Sequence, residues 1–93
     1  YKVKELVIEP GKSLSDQRHF KRSEHWYVLK GTVRLDTEWQ GKKDTRILKA
    51  HDWGYIIGKE VWHCASNPTT ELAHILEVQY GEKCVEEDIE RRK

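Results

Sequence analysis

The chain has 93 residues, 35% of them charged, and its 17 Lys+Arg nearly balance 16 Asp+Glu. That length holds one domain, read as 1–93, whose small core buries roughly 60–65% of the unfolded surface, so pairing with a second copy as a homodimer would help it. Interspersed signs argue against the basic stripe of a nucleic-acid or membrane-surface protein, and no apolar run approaches the ~20 residues of a membrane span.

Short alternating stretches between turn residues predict an all-β chain of about eight strands. Val3 to Glu9 forms the first and stops at Pro10-Gly11. The second is expected from Leu14 to Phe20, and the third, rich in aromatic and β-branched residues, from Glu24 to Lys30, ending at Gly31. Thr32 to Trp39 alternates, turns at Gln40-Gly41-Lys42 and returns through Thr45 to Lys49. Trp53 to Ile57 and His63 to Asn67 follow, stopped by Gly58 and Pro68. Glu71 to Tyr80 is apolar on both faces and is expected inside a sheet. Val85 to Arg92 carries acids followed by basic residues, which predicts a short C-terminal helix with its dipole complemented. The architecture expected from this count is a small jelly-roll β-barrel, wide enough for one small ligand.

Alternate residues of a strand share a face, so Gln17 and His19 point the same way. Glu24 follows the polar run Lys21-Arg22-Ser23, where the chain can turn back, and His63 lies on a distant strand that a barrel brings across. Two imidazoles, a carboxylate and an amide oxygen make a mixed donor set for one divalent transition metal: Zn, Mn, Co, Ni or Fe. Spacing alone leaves open a polar sheet on which the four never meet. Cys64 and Cys84 are too few for a disulfide scaffold and lack zinc-ribbon spacing, so two free thiols in a reducing cytoplasm are expected. His25 and His51 need no special role. Trp26, Tyr55 and Trp62 read as core or dimer interface ahead of a sugar platform.

Gly11-x5-Gln17-x-His19-x4-Glu24-x6-Gly31 resembles the first motif of the cupin superfamily, with Gln in place of its first His. Gly58-Lys-Glu-Val-Trp-His63-Cys-Ala-Ser-Asn67 resembles the second, although Gly58 and Glu60 stand where Pro and Gly are usual. More narrowly, Gln17-x-His19-x-Lys21-Arg22-Ser23-Glu24-His25-Trp26, Glu77-Val78-Gln79-Tyr80-Gly81 and Glu86 to Arg91 look like the cupin domain of type II mannose-6-phosphate isomerases. In many bacteria that domain forms the C-terminal part of a bifunctional enzyme with a mannose-1-phosphate guanylyltransferase. The resemblance spans Val3 to Arg91 and implies a cupin barrel, pairing into dimers, and metal held by Gln17, His19, Glu24 and His63. It further implies aldose–ketose isomerisation of a sugar phosphate through an enediol.

Such chemistry needs a general acid/base near the metal. Glu77 is the candidate if its face looks inward; His74, on the opposite face, is then excluded. A phosphate needs a cationic anchor, for which Arg18, Arg22 and Arg91 are preferred to Lys59 because arginine clamps an oxyanion with two hydrogen bonds. The alternative is a non-catalytic metal- or sugar-binding cupin. An iron oxygenase ranks lower, since Gln17 would fill a position that oxygen chemistry needs.

Overall fold

A computed structural model describes residues 1–92. These form nine strands: β1 (Lys2–Ile8), β2 (Gln17–Arg18), β3 (Arg22–Lys30), β4 (Thr32–Trp39), β5 (Lys42–Lys49), β6 (Tyr55–Ile57), β7 (Trp62–Ser66), β8 (Ala73–Gly81) and β9 (Glu90–Arg91). Two sheets result, ordered β1-β8-β3-β6 and β5-β4-β7-β2-β9. Every pairing within them is antiparallel.

The inward residues of β3 and β8 explain where the site lies. Along β3 they run Arg22, Glu24, Trp26, Val28, and along β8 they run Ala73, Ile75, Glu77, Gln79, all buried. Because the strands are antiparallel, Val28 pairs with Ile75, Trp26 with Glu77 and Glu24 with Gln79. One end of the shared face is therefore apolar and the other ionisable. At the apolar end Val28, Ala73, Ile75 and Ile8 meet Val33, Leu35 and Ala65 of the facing sheet, all at 3% exposure or less. Each large aliphatic side chain buried there contributes about 1.5–3 kcal/mol.

Two local features hold this end together. The Asn67 amide donates to the carbonyls of Ile8 and Glu71, and its oxygen accepts from the Thr69 backbone N–H and hydroxyl. Gly31 turns β3 into β4 at φ +83°, where a Cβ would stand 2.5 Å from the Leu72 carbonyl oxygen. The turn needs glycine both for its left-handed backbone and for that approach.

Three expectations need correction. The shell is not a closed barrel: it consists of two sheets. Two of the strands at their edges, β6 and β9, have three and two residues, too few to pair across the gap. The expected second strand shrinks to Gln17–Arg18, with a single bridge between Ser13 and Ser66 ahead of it. No C-terminal helix forms either, and residues 85–92 make turns and β9. An isolated helix of eight residues is marginal in water, whereas here the segment gains strand pairing with Gln17 and Arg18 and a bond from the Arg92 N–H to the Asp16 carbonyl. Cys64 and Cys84 are both free, and among the described residues no helix is long and apolar enough to cross a membrane.

Asn67→Asp keeps the shape but turns a carboxylate oxygen toward the two carbonyls that the amide serves. It is expected to lower stability by about 2–4 kcal/mol, measured as a shift in the urea midpoint at unchanged slope; an unshifted midpoint would show that these bonds contribute nothing.

Candidate metal centre

His19, Glu24 and His63, all buried, offer ligand atoms that lie within 4.8 Å of one another. His19 leaves the end of β2 in the loop leading to β3, Glu24 is the second inward residue of β3, and His63 projects from β7. The centre thus draws on both sheets. His19 Nε2 lies 3.3 Å from Glu24 Oε2, and His63 Nε2 lies 3.7 Å from Glu24 Oε1.

Backbone carbonyls decide the tautomer of both imidazoles. His19 Nδ1 is 2.7 Å from the Asp88 carbonyl oxygen, and His63 Nδ1 is 3.0 Å from that of Val61. A carbonyl can only accept, so each Nδ1 carries the proton and each Nε2 turns a lone pair inward. Burial, reinforced by the neighbouring His19, pushes the His63 pKa down to about 4. Burial also lowers that of His19, with Arg22 adding to the effect and the Asp88 contact partly opposing it. Both rings are consequently neutral at pH 7, the form in which imidazole binds a metal.

The residues fit a metal. His63 Nε2 is buried and has no hydrogen-bond partner among the described residues, a loss of about 1–3 kcal/mol for an acceptor left unpaired. Two imidazole nitrogens and a carboxylate on one point form a donor set that a divalent transition ion satisfies.

Gln17 reaches the centre by its amide nitrogen, which stands 3.5 Å from His19 Nε2, while its oxygen accepts from the Ser15 hydroxyl at 2.7 Å. To act as a ligand the amide must turn over. Glu77 looks inward, 3% exposed. Its oxygens accept from Gln79 Nε2 at 2.8 Å and from the Trp26 indole N–H at 3.0 Å. The same indole N–H lies 3.1 Å from Glu24 Oε1, so one donor serves two carboxylates. Burial first, and the neighbouring Glu24 second, raise the Glu77 pKa. His74 pairs instead with Glu5 on the outer face.

A cavity of about 210 Å³ opens onto the centre, with Gln17, Arg22, Trp26, His63 and Glu77 inside and Lys4, Glu86 and Arg91 among its other lining residues. That volume suits one small polar ligand, well below drug-sized sites. Of the three expected phosphate anchors, Arg91 lines this cavity and Arg22 lies buried beside the candidate ligands. Arg18 is held by Glu90 and stacks over Phe20 and Trp62. Lys59 is exposed and outside the cavity lining. A larger depression of about 340 Å³ around Asp36, Thr45 and Arg92 contains none of the candidate ligands.

Residues 1–93 match the family described as mannose-6-phosphate isomerase C-terminal. The chain belongs to that family. A member-like relative, the mannose-1-phosphate guanylyltransferase of Salmonella montevideo, is 35% identical over 92 residues; the match takes in 98% of this chain and 18% of the relative. The chain therefore spans under a fifth of that relative, whose name records a guanylyltransferase. Among solved structures, a mutant sugar 3,4-ketoisomerase of Thermoanaerobacterium thermosaccharolyticum, in complex with TDP-4-keto-6-deoxyglucose, superposes with TM-score 0.84 at 21% identity, covering 98% of this chain and 65% of that one. An oxalate oxidase in complex with the substrate analogue glycolate gives 0.80 at 17% identity, over 85% and 41% of the two chains. Such distant likeness establishes the cupin fold alone.

Sequence reasoning missed two residues at the centre. Asp88 orients His19 through its carbonyl and, through its carboxylate, accepts the N–H groups of Phe20 and Lys21 at 3.0 and 2.8 Å. Lys4, in β1, lines the cavity beside Glu86, 3.1 Å from its Nζ. No local pattern marks either residue.

His63→Ala is expected to abolish tight binding of zinc or manganese in calorimetry while the far-ultraviolet circular dichroism stays native; stoichiometric metal retained by that variant would remove the assignment. In the metal-free protein the His63 pKa, about 4 when folded against 6.5 when unfolded, means that the unfolded chain binds the extra proton. Its contribution is then full above pH 6.5 and fades as pH falls toward 4, by about 3 kcal/mol in all. Urea titrations of wild type and His63→Gln should diverge in that window, and parallel curves would contradict it.

Proposed function

We propose that the chain is a metal-dependent cupin domain that isomerises a sugar phosphate between aldose and ketose through an enediol, with mannose 6-phosphate as the substrate type. The observation that carries this reading is Glu77, a buried carboxyl with a raised pKa that shares a cavity with Gln17 and His63, the latter one of the three convergent candidate ligands. His19, Glu24 and His63 would hold a Zn, Mn, Co, Ni or Fe ion, with Gln17 as the fourth donor once its amide turns. When bound, the ion supplies Lewis-acid polarisation of the sugar carbonyl.

Glu77 takes the proton from the carbon beside the carbonyl and returns it to the former carbonyl carbon, while the hydroxyl proton of the first carbon passes to the former carbonyl oxygen. A carboxyl with a raised pKa suits both halves of that shuttle. Gln79 and Trp26 each bind one of its oxygens and fix its plane. Leu6, Leu14 and Ala65 give the cavity an apolar wall that limits water around the proton in transit. Arg91 and Lys4 offer positive charge to the phosphate, which leaves Arg22 and Arg18 to other partners.

A second reading is favoured by the relatives' name: a binding domain that holds metal or sugar without converting it, attached to a guanylyltransferase. In either case we place the domain in the cytoplasm as a homodimer. The outer face of β1 and its neighbours, with Val3, Val7, Ile56 and Tyr80 exposed, is the surface that a second copy would cover.

A coupled assay with mannose 6-phosphate and added manganese, cobalt or zinc tests the reading. Turnover is expected, and Glu77→Gln should lower it roughly 100- to 10,000-fold with metal affinity unchanged. Binding of the sugar phosphate to metal-loaded protein without conversion would select the second reading.

A further inference from the structure

Arg22 is 4% exposed, and its guanidinium lies among the candidate ligands. Nε and Nη2 donate to Glu24 Oε2 at 2.9 and 2.8 Å, and Nη1 reaches the Val85 carbonyl at 3.3 Å. Nη2 also stands 3.2 Å from His19 Nε2. Guanidinium only donates, and the Asp88 carbonyl keeps the proton of His19 on Nδ1. The contact is therefore an N–H from Arg22 to the single lone pair of Nε2, at a shorter distance than the 3.5 Å of the Gln17 amide nitrogen.

A carboxylate oxygen has lone pairs to share between two partners. The imidazole nitrogen has one, and it serves either the guanidinium or a metal. Arg22 also resolves a second difficulty. Glu24 is 1% exposed, and an isolated carboxylate so deeply buried would be strongly unfavourable. The guanidinium supplies its countercharge, so the pocket can be assembled without an ion.

We propose that Arg22 is an internal competitor of the metal: its Nη2–H occupies the His19 lone pair that a bound ion needs, and metal affinity is set by the cost of withdrawing it. Arg22 is thus a positioning residue that tunes occupancy. The proposal rests on the metal reading of the same centre.

The test compares zinc affinity by calorimetry, and thermal midpoints with and without zinc, for wild type, Arg22→Met and Arg22→Lys. Lysine keeps charge beside Glu24 but has no planar fork to span both partners. Both variants are expected to bind zinc roughly tenfold more tightly or better, the equivalent of one charged hydrogen bond. Metal-free Arg22→Met should melt below wild type and gain more from zinc. If Arg22→Met fails to fold even with zinc, Arg22→Lys decides alone. Zinc binding by the variants but not by wild type would support competition in its strongest form. Equal or weaker binding by the variants, beside a wild type that binds well, would overturn the proposal and leave the metal reading intact. No binding by any of the three would overturn both.

Discussion

Two carboxylates buried side by side, Glu24 on β3 and Glu77 on β8, are the constraint that the ionisable end of this fold is arranged to meet. Neither can be left alone in a medium that solvates charge poorly. The Trp26 N–H is divided between them, Gln79 takes a second oxygen of Glu77, and Arg22 supplies the countercharge for Glu24. The inequality of these partners separates their roles. Glu24 has the Arg22 cation beside it, while burial first, and the neighbouring Glu24 second, push Glu77 toward its protonated form.

The scaffold makes this tolerable by dividing its interior lengthwise. Val28, Ala73, Ile75 and the facing Val33 and Leu35 supply the apolar burial that stabilises the fold, and the polar row follows on the same strands a few residues away. Since the spacing within a strand is fixed, a stable core at one end holds Glu24 and Glu77 in register at the other. The imidazoles come from the opposite sheet and its loop, so the distance between the sheets, set by core packing, also sets the gap between His63 and Glu24.

Much of this could be read from residue order. Alternation put Val33 and Leu35 on one face of β4, whereas Glu71 to Tyr80 read as apolar on both faces; spacing left the meeting of Gln17, His19, Glu24 and His63 open, and the resemblance to the cupin motifs implied it. What escaped were interactions carried by backbone or by sequence-distant partners. The Asp88 and Val61 carbonyls that orient the two rings have no side-chain signature. Residues 85–92 have the composition of a helix, and pairing with β2 together with the bonds of Asp88 and Arg92 makes a strand and turns preferable there. Arg22 reads as a phosphate anchor in a Lys-Arg-Ser run, whereas β3 points it inward onto Glu24. Glu60 is the reverse case: the cupin motif has glycine at this place, and the glutamate keeps the left-handed backbone, at φ 66°.

The bond between His19 and Asp88 joins positions 69 apart in the chain, and those binding the Asp88 carboxylate to Phe20 and Lys21 span 68 and 67. Contacts of such separation carry a loop-closure cost that hairpins such as β4–β5 do not. The His19 ring is therefore oriented by a long-range contact with residues 85–92 and by no hairpin, so whatever loosens that segment also frees the imidazole.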